Sequence, residues 1–236
     1  MIYQLELHLI KRYEKRVIRQ FPKVVLVSDA DIQYLNSQCD GKNTNLKLYT
    51  NGVDCVKALP TFYDRNKICF VGNMRTLQNQ DAVIHFVNDI FPKIKTAVSD
   101  AVFMIIGAEP SETIKSLHDG KNVIVTGFVD DIQAEISKCC LAVAPVRVAA
   151  GIQNKVLVAF GCGVPVVLTP LISAAISELK DSENCFITDE DNDFAKKCIS
   201  IMTDSELRHT LSQKGYEMVK TNYSWNEKLN GYENIS

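Results

Sequence analysis

From residue 67 onward the chain alternates short, almost continuously apolar runs with stretches of helical periodicity, and this alternation restricts the fold more than any other feature. The apolar runs fall at 67–71, 101–106, 122–126, 141–145 and 164–168, and the helical patterns at 79–90, 111–117, 131–138 and 152–160 lie between them. A strand with one wetted face would alternate polar and apolar residues; these runs do not, so both faces must be covered. Buried strands joined by helices form a parallel sheet with helices on both sides, the doubly wound α/β architecture. Two more helices are expected at 194–202 and 205–219, the second opened by Thr203 with Glu206 at capping-box spacing.

The first 54 residues read differently. Leu5, Leu9, Tyr13 and Val17 recur at helical spacing, Pro22 closes that helix, and the run from Lys23 to Val27 is strand-like. Ser28 followed by Asp31 opens a short helix to about residue 37, and 36–45 is polar and turn-rich. Pro60 and Asp64-Arg65-Asn66 look like a connector, which places the main domain boundary between 55 and 67. The expected division is a helix–strand remnant over 1–54 and a Rossmann-like domain over 66–225.

With 236 residues, 46% apolar and 23% charged, the chain can bury a substantial core. A net charge of -2 argues against a general nucleic-acid coat, so any phosphate binding must be local and no nucleic-acid partner is expected. Cys39, Cys55, Cys69, Cys139, Cys140, Cys162, Cys185 and Cys198 include no CxxC pair and no histidine couplet, which does not fit zinc. They read as reduced core thiols of a cytoplasmic protein, without disulfides or a metal site. No apolar stretch approaches the ~20 residues of a membrane span, and Glu6 and His8 interrupt what would be a signal core. Lys11, Arg12, Lys15, Arg16 and Arg19 read as a solvated helix face, with peripheral contact to anionic lipid as the alternative.

Ligands of a doubly wound sheet bind beyond the carboxyl ends of its strands. Three strand ends carry glycine: Gly72-Asn73-Met74, Gly107-Ala108-Glu109, and the run from Ala144 to Lys155 containing Gly151. In the third, Gly151 precedes a helix whose first-turn N–H groups suit an anion. Arg147 can fork onto phosphate oxygens and Lys155 can reach the same point. On chemistry alone the two are equally well read as solvated side chains.

This third run resembles the C-terminal domain of the retaining GT-B glycosyltransferases of family 4, particularly bacterial polysaccharide and exosortase-associated sugar transferases. Asn51-Gly52-Val53-Asp54, Phe70-Val71-Gly72-Asn73-Met74, Asn79-Gln80-Asp81-Ala82-Val83 and Ile105-Ile106-Gly107 are similar in order and spacing. So are Val125-Thr126-Gly127-Phe128-Val129, Gly151-Ile152-Gln153-Asn154-Lys155-Val156-Leu157 and Tyr223-Ser224-Trp225. The resemblance implies that the diphosphate of a nucleotide-sugar donor lies against Gly151, Ile152, Gln153 and Asn154, with Arg147 and Lys155 on the phosphates. It places Gly72, Asn73, Gly127, Phe128, Val129 and Val158 near the nucleoside, although Phe128 reads equally as core cover. It implies metal-independent transfer without a cofactor to a glycan or lipid-linked acceptor.

Two features depart from the family. It commonly carries two glutamates with seven residues between them, the second contacting the donor ribose; here Ala150 and Val158 stand there. The chain also holds one Rossmann-like domain where a GT-B enzyme needs two. The missing half would supply acceptor contacts and a histidine, a role that His8, His85, His118 and His209 should not inherit. Catalysis by this chain alone is therefore not expected. The competing readings are a non-catalytic remnant or an assembly subunit needing a partner N-terminal domain, and, more weakly, a sugar-nucleotide epimerase. Leu5, Leu9 and Tyr13 would need cover, so a homodimer is a further expectation.

Overall fold

The computed structural model describes residues 2–38, 45–60, 64–148 and 153–232. Two compact units emerge, Met1–Asn51 and Gly52–Ser236. In the first, helix α1 (Ile2–Gln20) leads to β1 (Val24–Leu26), α2 (Asp29–Gln38) and β2 (Leu46–Leu48). β1 and β2 pair in parallel, Val24 opposite Leu46. Ile18, Leu35 and Leu46 are buried together, with Val24, Leu26 and Ile32 packed against them. The amide of Asn45 donates to the carbonyls of Ile18 and Phe21 at 2.7 and 2.9 Å, tying the start of β2 to the end of α1. β2 is not visible in the sequence pattern because a three-residue strand with two leucines has too little periodicity to register. On α1 the residues Leu5, Leu9 and Tyr13 are exposed.

The second unit opens with β3 (Asp64–Val71) and α3 (Leu77–His85), which runs through a π turn at Phe86–Ile90 into α4 (Phe91–Ala97). Then come β4 (Val102–Ile106), α5 (Glu112–Lys115), β5 (Val123–Gly127), α6 (Ile132–Ser137), β6 (Cys139–Ala144), α7 (Asn154–Gly161), β7 (Val166–Leu168) and α8 (Pro170–Ser173). β8 (Phe186–Ile187), α9 (Asp191–Thr203), α10 (Ser205–Asn222) and α11 (Trp225–Tyr232) complete it. The strands form one six-stranded sheet in the order β5-β4-β3-β6-β7-β8, every neighbouring pair parallel. The fold is the expected Rossmann-like α/β sheet. Because the chain travels outward from β3 to β5 and then returns to lay β6 beside β3, right-handed crossovers place helices on both faces. Ile68, Cys69 and Phe70 of β3 and Cys140 and Leu141 of β6 are fully buried at the centre, which is why these runs carry no polar alternation.

Three of the differences from the expected boundaries have a local physical reason. Asp64, Arg65 and Asn66, expected in a connector, begin β3; they form its less buried end, where Asp64 N–H reaches the carbonyl of Lys138 at 2.9 Å. The helix expected to end at Ile90 passes Pro92, because the proline sits in the first turn of α4, where no helical N–H is missed. And α10 is capped by Asp204, whose carboxylate accepts from the N–H groups of Glu206 and Leu207 at 2.9 and 3.0 Å. Thr203 instead finishes α9, its hydroxyl donating to the carbonyl of Ile199 at 2.8 Å. The described cysteines are free thiols, all buried except the half-buried Cys55. Desolvation pushes Cys140, Cys162 and Cys185 up to about 12, so these thiols stay protonated and unreactive.

Candidate functional site

The switch point lies between the neighbouring strands β3 and β6, where the strand order reverses: from β3 the chain runs out to β5 on one side, and from β6 to β8 on the other. After β3, Gly72 bonds through its N–H to the carbonyl of Ile106 at 3.0 Å, and Asn73 turns the chain by accepting the N–H of Arg75 at 2.9 Å on its side chain. This turn is possible because two glycines meet. A Cβ on Gly107 would stand 1.8 Å from the carbonyl oxygen of Gly72, and one on Gly72 would stand 2.6 Å from the amide nitrogen of Asn79. Asn79 is buried at the start of α3 and donates to the carbonyl of Asn73 at 2.8 Å. The first turns of α3 are therefore held against the end of β3.

After β6 the chain runs through buried Pro145 and Val146 to exposed Arg147. Its guanidinium is already engaged: Nε and Nη2 meet the two carboxylate oxygens of Asp81 at 3.0 and 2.5 Å. That pairing lowers the Asp81 carboxyl below its ordinary value and raises Arg147, so both stay charged. Arg147 is thus a forked partner of α3 and not a side chain held by solvent alone. The fork uses one edge of the guanidinium and leaves Nη1 for a further acceptor.

Helix α7 follows, with Gln153 as its N-cap residue in extended conformation and making no side-chain cap bond. Gly151 and Ile152, expected at the diphosphate, lie outside the described residues, as does Ala150. Lys155, in the first turn, is largely withdrawn from water and donates to the side-chain oxygen of Asn79. Its ammonium sits 4.9 Å from the centre of the Phe70 ring. Burial depresses it from 10.5 to about 8. The helix stops where expected, after Gly161, with Gly163 at φ +71° where a side chain would be strained.

Gly72, Asn73, Arg147 and Lys155 thus gather around the start of α3, and Gln153 and Asn154 precede Lys155 at the start of α7. Asn79 and Asp81 hold the two cations, and the reading of residues alone did not single them out as site residues. Their signal was positional: both sit in the first turns of the helix that follows the glycine of β3. The Gly127-Phe128-Val129 segment stands further off, at the end of the edge strand β5, where the Gly127 carbonyl accepts from Gly107 N–H at 3.2 Å. Phe128 is 74% exposed, so it is not core cover. Val158, one turn beyond Lys155, packs half-buried against the core and offers no polar atom. His85 pairs with Asp191 at 2.9 Å, and His118 accepts the N–H of Val125 at 3.0 Å, so both have structural partners. A cavity of about 300 Å³ opens beside Arg147 between the ends of β6, β7 and the start of α9, with Thr169, Asp189 and Asp191 in its wall.

Comparison with known proteins follows the same outline. The family described as "Glycosyl transferases group 1" matches residues 65–204. Among solved structures, TarM from S. aureus aligns with a TM-score of 0.77 at 20% identity, over 95% of this chain and 46% of TarM. HepE from Anabaena, solved with UDP and glucose, aligns at 0.73 and 16% identity, over 95% of this chain and 67% of HepE. Sucrose-phosphate synthase from Thermosynechococcus elongatus aligns at 0.72 and 17% identity, over 95% of this chain and 60% of that protein. The chain spans about half the length of TarM and two thirds of HepE. No curated protein matches it.

Proposed function

We propose that this chain, which belongs to the group 1 glycosyl transferases, binds the nucleoside diphosphate of an activated sugar at the β3–β6 switch point. There it serves as the donor half of a retaining transferase acting on a glycan or lipid-linked acceptor. The observation that carries the reading is the convergence of Lys155 and Arg147 on the start of α3. A lysine taken largely out of water is costly unless an anion completes its surroundings, and here an uncharged amide is its nearest polar partner.

In the proposed reaction the bond between the anomeric carbon and the donor phosphate breaks and the acceptor oxygen takes its place. Negative charge grows on the departing diphosphate. Lys155, the free edge of Arg147 and the first N–H groups of α7 lie where that charge would be met, supplying from the protein the electrostatic stabilisation that a metal ion supplies elsewhere. The nucleoside would extend toward Gly127, Phe128 and Val129, where exposed Phe128 offers an aromatic face. Acceptor contacts would come from a second domain.

Calorimetry against UDP, GDP, ADP and their sugar conjugates, with Lys155→Ala as control, tests this reading. Saturable binding abolished in the variant, with its thermal unfolding preserved, is expected; unchanged affinity in Lys155→Ala removes the assignment. A second reading, a non-catalytic assembly subunit, is favoured by one observation: Val158 offers only carbon where the family resemblance implies a carboxylate for the ribose. It predicts no saturable binding at millimolar nucleotide.

Among the described residues no helix is long and apolar enough to cross a membrane. A cytoplasmic protein with peripheral contact to anionic lipid is the proposed setting. Its support is the basic run Lys11, Arg12, Lys15 and Arg16 next to exposed Leu5, Leu9 and Tyr13 on α1. The same exposed residues would serve a partner domain or a second copy.

A further inference from the structure

We infer that Asp81 is a positioning residue for the diphosphate site: it holds the Arg147 guanidinium by one edge so that the other edge faces the donor phosphates. The inference rests on the donor-binding reading and adds a residue that the family resemblance does not assign.

Geometry supports it on three counts. Asp81 takes Nε and Nη2 at 3.0 and 2.5 Å, the side-on arrangement, in which both bonds fall on one edge of a planar group. Arg147 stands on a loop beyond β6, and its long side chain would otherwise sample many rotamers, each taking the charge to a different place. Asp81 is itself fixed, because α3 is anchored two residues earlier by Asn79, which bonds to Asn73 and receives Lys155. One helix start therefore aims both cations.

A carboxylate close to a phosphate also repels it, so the sign of its effect has to be decided. Both side chains of the pair are about half exposed, and repulsion across solvent is weakened by screening. The orientation of a bidentate donor is not screened. Tethering outweighs repulsion, and removing the carboxylate weakens binding. Were repulsion the larger, removing it would tighten binding.

The experiment is a double-mutant cycle. Wild type, Asp81→Ala, Arg147→Ala and the double variant are titrated calorimetrically with UDP, GDP and ADP, and with the matching nucleosides. Asp81→Ala is expected to weaken the diphosphate that binds wild type about fivefold, the scale of one partly exposed ion pair. It should add nothing once Arg147 is gone, and it should leave nucleoside affinity unchanged. Asp81→Asn, which keeps the shape and one acceptor oxygen, should fall between, and guards against a misfolded alanine variant. An equal loss in both Arg147 backgrounds, no loss, or tighter binding overturns the inference while leaving the donor site intact. If no diphosphate saturates the wild type, the donor-binding reading falls and this inference with it.

Discussion

Lys155 on α7 donates its ammonium proton to the side-chain oxygen of Asn79 on α3, 76 residues earlier in the chain. The bond joins the helix after β6 to the helix after β3 across the switch point of the sheet. It leaves the lysine with donors to spare in a place that withdraws them from water.

This environment makes diphosphate binding depend on pH. Lys155 is depressed to about 8 by burial, whereas Arg147 does not titrate in the accessible range. Only the protonated lysine attracts the anion, so affinity for the diphosphate should be greatest near pH 7, roughly halved by pH 8 and lower still as pH rises above that. Calorimetry at pH 7, 8 and 9.5 reads it; a flat profile removes Lys155 from the contact.

The same group leaves a mark on stability. Its folded value, about 8, lies below the ordinary 10.5, so between these limits the unfolded chain binds more protons and stability rises with pH. The penalty is fully present below 8 and gone above 10.5. Relative to Lys155→Met, wild type should gain on the order of 1 kcal/mol across that window once screening is allowed for. Urea titrations at pH 7.5 and 10.5 measure the gain, and parallel behaviour of the two proteins would contradict it.

Gly107→Ala should damage the fold. The added carbon would stand 1.8 Å from the carbonyl oxygen of Gly72, a backbone atom that cannot swing aside. A cost of about 3 kcal/mol or more is expected in urea denaturation, with loss of diphosphate binding because the Gly72 turn moves. A midpoint equal to that of wild type would show that the two strand ends separate easily.

Val158→Glu should tighten diphosphate binding. The position lies half-buried one turn beyond Lys155, and a carboxylate there regains an acceptor for the donor ribose, a charged hydrogen bond of about 1.5–3 kcal/mol. An improvement of about tenfold or more in the dissociation constant is expected. If affinity for UDP, GDP and ADP stays as it was, ribose does not lie against this face of α7.

Much of this arrangement is legible in the sequence itself. The strands β3, β4, β5, β6 and β7 announce themselves because residues such as Phe70, Ile105 and Leu141 are buried on both faces, and a covered strand needs no polar alternation. α1 was legible from end to end. β2 and β8 were not, since strands of three and two residues carry no periodicity. Thr203 fits the capping-box spacing to Glu206, but Asp204 is nearer the turn and one of its carboxylate oxygens accepts from two N–H groups.

The site divides along the same line. Sequence alone determined that a parallel sheet would form, that glycine would stand at its strand ends, and that Arg147 and Lys155 would leave the strand and helix around one of them. These follow from local pattern: burial sets periodicity, and turns demand glycine. Only the tertiary structure decided what the two cations face. Asn79 and Asp81 are 76 and 66 residues from their partners, and nothing local in α3 reveals which side chains the return of β6 beside β3 will bring to it. Phe128 makes the same point in reverse: an apolar residue after a buried strand reads equally well as core cover, and its 74% exposure goes with the edge position of β5, beyond which no further strand lies among the described residues. Periodicity is a property of neighbours in the chain, whereas partnership and exposure are set by strand order.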